Sequence, residues 1–218
     1  MNSDIFRSDI DIVKNNFDKV LKLLIFCYEK IISENSFNLN ESENFIRNIF
    51  IKYLKKNKEK FLLWTIYLEA ESEEITEEYK TWGFIDIKIW NIEWWNFIDE
   101  DKYFAFECKR LNWKAKHKKE YIDNWLSRFI SGQYSKLNQL AWMIWFIQWF
   151  KKWKNIWDNI QEIKTFLKDK SKIKKNTIQN LEKYEIEKSF DYSYLSKHKR
   201  EKSLWNIDIY HLFFDFVK

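Results

Sequence analysis

Proline is absent from all 218 residues, glycine occurs only at Gly83 and Gly132, and cysteine only at Cys27 and Cys108. Two widely separated thiols exclude a disulfide framework and a cysteine-built zinc site, and read as small buried apolar residues. Long hydrophobic runs are missing too: Leu23-Leu24-Ile25-Phe26 falls far short of the roughly 18 residues that a bilayer span requires. Histidine is scarce, and His117, His198 and His211 lie in unrelated contexts, which excludes a histidine metal set. No nucleophile elbow, phosphate-binding loop or dinucleotide fingerprint occurs, so serine-hydrolase and nucleotide-cofactor classes lack support. The opening Met1-Asn2-Ser3-Asp4 carries neither a basic start nor an apolar signal core, so the expectation is a cytoplasmic protein with no membrane partner.

What is abundant is tryptophan, with 13 residues. Tryptophan and glycine together make up about 7% of the chain, the share glycine alone ordinarily takes. Trp94-Trp95 sits in a polar connection where Gly-Gly would be ordinary turn chemistry. Trp82 precedes Gly83 at the entry to a strand, and Trp149, Trp153 and Trp157 lie in a Lys/Asn-rich stretch that reads as a loop. The expectation is that many tryptophans stand where the natural protein has glycine, through a UGA codon read as glycine by its own cell. The alternative is a true tryptophan stripe, since Trp142, Trp145, Trp149, Trp153 and Trp157 fall at helical spacing.

With 45% apolar and 33% charged residues and a net charge of +5, the chain is neither disordered nor membranous and has the length of one domain. Apolar residues at Val13, Phe17, Val20, Leu21, Leu24, Tyr28 and Ile31 predict a helix over 4–33, with 1–38 as an N-terminal helical arm and 39–218 as the main domain. A second helix carries Phe45, Ile46, Ile49, Phe50 and Leu54, opened by Asn40 as N-cap three residues before Glu43. Strands are expected at 61–71, at 84–89 (Phe-Ile-Asp-Ile-Lys-Ile), at 103–109, at 141–148 and at 206–216, the second and third as an antiparallel pair. Helices are expected at 118–130 and 160–168. The fold class is therefore α/β.

Alternation places Glu107 and Lys109 on one face of their strand and Phe106 and Cys108 on the other. If this strand pairs with 84–89, Asp86 meets Glu107 across the ladder. Two carboxylates beside an ammonium are costly to gather unless compensated, and Mg²⁺ (or Mn²⁺), a hard cation with oxygen ligands, compensates them. Such an ion stabilises charge on a phosphoryl oxygen, and Lys109 can position the attacking water or neutralise developing charge.

"GFIDIKI" with Asp86 and "FAFECKRL" with Glu107 and Lys109 resemble the PD-(D/E)xK, or restriction-endonuclease-like, nuclease superfamily. The order helix–strand–strand–strand–helix–strand over residues 40–215 is similar to that family's core. The resemblance implies a mixed central β-sheet flanked by helices, with an extra N-terminal helix, and a Mg²⁺-dependent nuclease acting on DNA in restriction or defence. It implies Asp86 and Glu107 as metal ligands, Lys109 as catalytic, and Glu43, in "ESENFIRN", as the helix acid; capping is the alternative role of Glu43. Glu69 and Glu71 are a competing acidic source. One departure is Ile85 in place of the proline that names the motif. "YIDNWLSRFISGQYS" followed by "AWMIWFIQ" is similar to the helix and strand after the family's Glu-x-Lys, and reads naturally with glycine for each tryptophan. That helix makes Arg128, Gln133 and Tyr134 candidate nucleic-acid contacts.

Lys109-Arg110, Lys114, Lys116 and Lys118-Lys119 crowd the chain leaving the Glu-x-Lys strand, and Lys151, Lys152, Lys154 and Lys168–Lys175 form a second basic cluster. Both suit a polyanion. Arg110, Lys114, His198 and Arg200 are further candidate phosphate contacts, and an exposed basic turn is the alternative for "SKHKR". His211 reads as a satisfied core histidine. The rival class is a non-catalytic nucleic-acid-binding module on an inactive nuclease-like fold, and a homodimer is the oligomer such enzymes commonly form. Exchange of Lys109 for Ala is expected to abolish cleavage and leave folding largely intact.

Overall fold

The alternating segments assemble into one seven-stranded sheet in the computed structural model, which describes residues 3–34, 41–61, 63, 66–75, 81–91, 103–111, 115–134, 139–148, 155–169, 173–200 and 206–217. The strands are β1 (Ile66–Ile75), β2 (Thr81–Asn91), β3 (Phe104–Leu111), β4 (Leu140–Ile147), β5 (Thr177–Lys183), β6 (Ser193–Lys199) and β7 (Asn206–Asp215). Their spatial order is β1-β2-β3-β4-β7-β6-β5. Both flanks are antiparallel, while β3, β4 and β7 run parallel at the centre. Parallel strands are covered on both faces, and β4 accordingly reads Leu-Ala-Trp-Met-Ile-Trp-Phe-Ile, with every residue from Ala141 to Ile147 buried.

Two helical layers cover the sheet. On one face, α1 (Ser3–Ser33) and α2 (Glu43–Asn57) bring Phe17, Leu24, Tyr28 and Phe50 against Phe106, Trp142, Phe146 and Phe214. On the other, α3 (Ala115–Glu120), a π-helical turn (Tyr121–Leu126), α4 (Ser127–Ser131) and α5 (Ile156–Asp169) bring Leu126, Phe129, Ile160 and Ile163 against Ala105, Met143, Trp145 and Phe213. The coarse expectation of a mixed sheet flanked by helices holds. Residues 17–31 of α1 pack as a layer of this core: the Phe17 ring lies 4.7 Å from Trp142 and 4.6 Å from Tyr210. Among the described residues, no helix is long and apolar enough to cross a membrane.

The differences from expectation have local causes. The first strand begins at Ile66 rather than 61, because Lys58–Phe61 continues α2 as a 3₁₀ turn. Trp157, expected in a loop, lies in the first turn of α5, which starts early because Asn155 and Asp158 cap each other. The Asp158 N–H donates to Asn155 Oδ1 at 3.0 Å, and the Asn155 N–H to Asp158 Oδ2 at 2.9 Å. β5 and β6 went unread because their polar residues conceal the alternation. In β6, Ser-Tyr-Leu-Ser-Lys-His-Lys, the buried polar groups satisfy one another. Ser196 Oγ lies 2.8 Å from Nε2 of both His198 and His211, and His198 Nδ1 lies 3.3 Å from Thr177 Oγ1. One hydroxyl has one proton to donate, so at least one of the two imidazoles donates its Nε2–H to Ser196 Oγ.

Burial pushes both imidazoles down to about 3, the proximity of His198 adding to the effect on His211. The unfolded chain therefore takes up protons below about pH 6.5 that the folded chain refuses. Their stability contribution is complete above that pH and is lost on acidification towards 3. Urea unfolding followed from pH 7 to pH 5 should show stability falling by about 2 kcal/mol in all for each histidine, the slope approaching about 1.4 kcal/mol per pH unit at the acid end, and His211→Gln should remove about half of the histidine part of that fall. An unchanged slope in the variant contradicts the assignment.

Candidate active site around Lys109

The β2–β3 ladder ends at the pair Ile87–Phe106. Beyond it the strands part, and the Asp86 side chain takes over the bonding that backbone would supply. Its Oδ2 accepts the Cys108 N–H at 2.8 Å. Ile85 packs in the core layer on one face and Ile87, two residues on, in the layer on the other, so β2 turns over at Asp86. Glu107 and Lys109 stand on β3 in alternation with Phe106 and Cys108, as expected.

The Lys109 ammonium is the point on which the acids converge. Its Nζ lies 2.9 Å from Asp86 Oδ2, 3.1 Å from Glu107 Oε1 and 3.3 Å from Glu43 Oε1, and it donates to the Cys108 carbonyl at 2.7 Å. Lys109 keeps 9% of its side-chain surface and Glu107 only 2%. Burial alone would lower the Lys109 pKa, but Glu107, Asp86 and Glu43 outweigh it and hold the ammonium well above its ordinary range. Burial pushes Glu107 up, to about 7, against the pull of Lys109 and with the help of Asp86. Glu107 Oε2 has no hydrogen-bond partner among the described residues. A buried orphan carboxylate oxygen is a costly feature that a bound cation would relieve.

Glu43 arrives differently from the capping arrangement expected. Ser42, not Asn40, is the N-cap of α2, its Oγ accepting the Phe45 N–H at 3.2 Å, which makes Glu43 the first helical residue. Free of the cap, the carboxylate accepts the Arg110 N–H at 2.6 Å and faces Lys109. Arg110 Nη1 and Gln148 Nε2 both donate to the Glu41 carbonyl, at 3.2 and 3.0 Å, pinning the start of α2 to the ends of β3 and β4.

Arg47 and Trp125 escaped sequence reasoning. Arg47, one turn after Glu43 on α2, is buried and donates to Asp86 Oδ1 at 3.2 Å. The i, i+4 spacing from Glu43 was the available signal. Trp125, in the π-turn, lies over Lys109 with its ring centroid 5.0 Å from Nζ. Glu43, Lys109, Arg110, Glu120 and Trp125 line a cavity of about 300 Å³ beside the cluster.

The other candidates divide. Arg128 donates to the Tyr134 hydroxyl at 2.6 Å and lies 3.7 Å from Glu107 Oε1, with a third of its side chain exposed. Gln133 follows on the same turn, half-buried. His198 and Arg200 do not join them. His198 is buried in the Ser196 cluster of β6, and Arg200 is buried with Tyr103, at the start of β3, as its electrostatic neighbour. A buried neutral imidazole and a buried guanidinium at that end of the sheet cannot contact a phosphate at this site. Lys114 lies outside the described residues, as do Lys151, Lys152 and Lys154. Lys118 is buried and paired with Glu162 of α5, so it is not an open phosphate contact. Glu69 is exposed on the outer strand; the side chain of Glu71 lies outside the described ones.

No family model, no curated protein and no solved structure matches this chain.

The donors present are hard oxygens, the right kind for Mg²⁺ or Mn²⁺. Among the described residues no group of three or more acids, histidines and cysteines already stands as a cation cage, because the Lys109 ammonium fills the point of convergence. The fit is therefore one of chemistry, and it rests on the orphan Glu107 Oε2 with Asp86 and Glu43 on the other sides of the same ammonium.

Removing the ammonium leaves buried carboxylates uncompensated, so the expectation that Lys109→Ala spares folding is corrected. Lys109→Met should lower the urea unfolding free energy by about 3–5 kcal/mol at pH 7, the usual cost of breaking a buried ion pair from one side. The loss should shrink towards pH 5, as the stranded acids take up protons. An unfolding midpoint equal to that of the parent at both pH values contradicts this.

Proposed function

We propose that the chain is a Mg²⁺-dependent nuclease of the PD-(D/E)xK type acting on DNA. The observation that carries the reading is the convergence of Glu43, Asp86 and Glu107 on Lys109, with one buried Glu107 oxygen left over. The order α2, β1, β2, β3, helical segment 115–131, β4 supports it, as do the antiparallel first pairings and the parallel β3–β4 pairing. So does the location of the acids at the fork where β2 leaves β3. Convergence of charged groups also speaks for the enzyme over a non-catalytic binding module, which requires no such costly gathering.

Glu107 and Asp86 would hold the cation, with Glu43 at their side, and the ion would supply Lewis-acid neutralisation of charge on a phosphoryl oxygen. Lys109, held protonated by its three acids, acts as a hydrogen-bond donor and not as a base. It orients a water or the developing anionic oxygen. Arg47 fixes the rotation of the Asp86 carboxylate from behind. Arg128, a third open to solvent and steadied by Tyr134, presents a planar fork suited to a phosphate. Arg110, at the rim of the cavity, adds positive charge for the next phosphate along the strand.

Glu107→Gln keeps the side-chain volume and removes the charge. It should reduce Mg²⁺-dependent plasmid cleavage by roughly two to three orders of magnitude, the scale of losing one preorganised electrostatic contact, while circular dichroism stays native. Undiminished cleavage by a folded Glu107→Gln chain sinks the proposal.

A further inference from the structure

The scarcity of glycine and the place of Trp125 bear on each other. A chain with seven strands and this many connections needs residues free to adopt positive φ or to let backbones approach closely, and glycine is the default for both. Gly132 is the one glycine with positive φ among the described residues, closing α4 at φ 79°. Trp125 sits inside a π-turn, a helical irregularity frequent at functional sites. Its indole roofs Lys109 and forms one wall of the cavity beside Glu43 and Arg110.

Two other described tryptophans bear on the same point, one with an unmade hydrogen bond and one part-exposed beside Tyr192. Trp142 is fully buried in β4 and its ring packs between Phe17, Phe104 and Phe106, yet its Nε1–H has no hydrogen-bond partner among the described residues. An unmade bond of this kind costs about 1–3 kcal/mol, and a buried indole ordinarily finds an acceptor. Trp157 lies 40% exposed in the first turn of a helix whose cap is already complete.

We propose that Trp125, Trp142 and the majority of the 13 tryptophans are glycines in the protein as its own cell makes it, because that cell reads UGA as glycine. The native site is then open above Lys109: the roof is a hydrogen atom, and the cavity lined by Glu43, Lys109 and Arg110 widens by the space of the indole. Glycine at 142 likewise lets α1 settle towards β4 through Phe17. The proposal concerns the identity of the chain and stands or falls independently of the nuclease reading.

The test is mass spectrometry of a tryptic digest of the protein taken from cells that carry the gene in their own genome. Cleavage after Lys119 and Arg128 releases Glu120–Arg128, and cleavage after Lys136 and Lys151 releases Leu137–Lys151. The expected result is Glu120–Arg128 lighter than its printed sequence by the difference between an indolylmethyl group and a hydrogen, with fragment ions placing the loss at position 125. Leu137–Lys151 should show the same loss at 142. Tryptophan at both positions in the native digest overturns the proposal. Recombinant protein made under the standard code cannot mimic the expected result, since no standard tRNA places glycine at UGA.

Discussion

The ammonium of Lys109 holds together a set of charges that would otherwise repel. Glu107 is nearly free of solvent contact and Asp86 almost so, and the ammonium between them offsets the repulsion and lost hydration of two carboxyl groups brought this close. Everything nearby serves that arrangement. β2 parts from β3 so that Asp86 can enter, Arg47 takes the far oxygen of Asp86, and Arg110 and Gln148 pin the start of α2 so that Glu43 reaches the same nitrogen. A purely structural ion cluster of this size is seldom worth its desolvation, since apolar packing of equal volume is often as stable or more so. Its presence at the fork of two strands, beside an opening lined by Arg110, speaks for chemistry.

The sheet makes that cluster possible. Parallel β3, β4 and β7 are buried on both faces by the α1–α2 layer and the α3–α5 layer, which gives Glu107 and Lys109 a rigid, largely dry base. Polar residues further from the site are handled by mutual satisfaction, as in the Ser196, His198, His211 and Thr177 group. The chain thus has two buried polar centres of opposite character. One is a neutral network that refuses protons; the other is a charged cluster that retains them on Lys109 and Glu107.

Much of this was legible because it rests on short-range periodicity. Asp86, Glu107 and Lys109 stood out through period-2 alternation against Ile85, Ile87, Phe104 and Phe106, and Glu43 through its place at a helix start. What stayed hidden depended on distant partners. Arg47 looks like a solvated helix residue until the fold brings Asp86 to it. His198 in a basic run looks exposed until Ser196 and Thr177 bury it. β5 and β6 lacked a readable pattern because cross-strand partners satisfy their polar side chains. Trp157 was placed in a loop because a Lys-rich approach masked the Asn155–Asp158 cap. Position 125 stood out as a tryptophan where glycine reads naturally and not for its place over Lys109, since no spacing in the chain links 125 to 109.

The central claim is that the orphan Glu107 oxygen and Asp86 take a divalent cation beside Lys109. Mn²⁺ titration monitored by electron paramagnetic resonance tests it most directly, comparing the parent chain with Asp86→Asn and Glu107→Gln at neutral pH. The predicted result is a bound Mn²⁺ population in the parent that Mg²⁺ displaces and that both variants lose while remaining folded. Equal Mn²⁺ binding by the parent and both folded variants, or none by the parent, contradicts it.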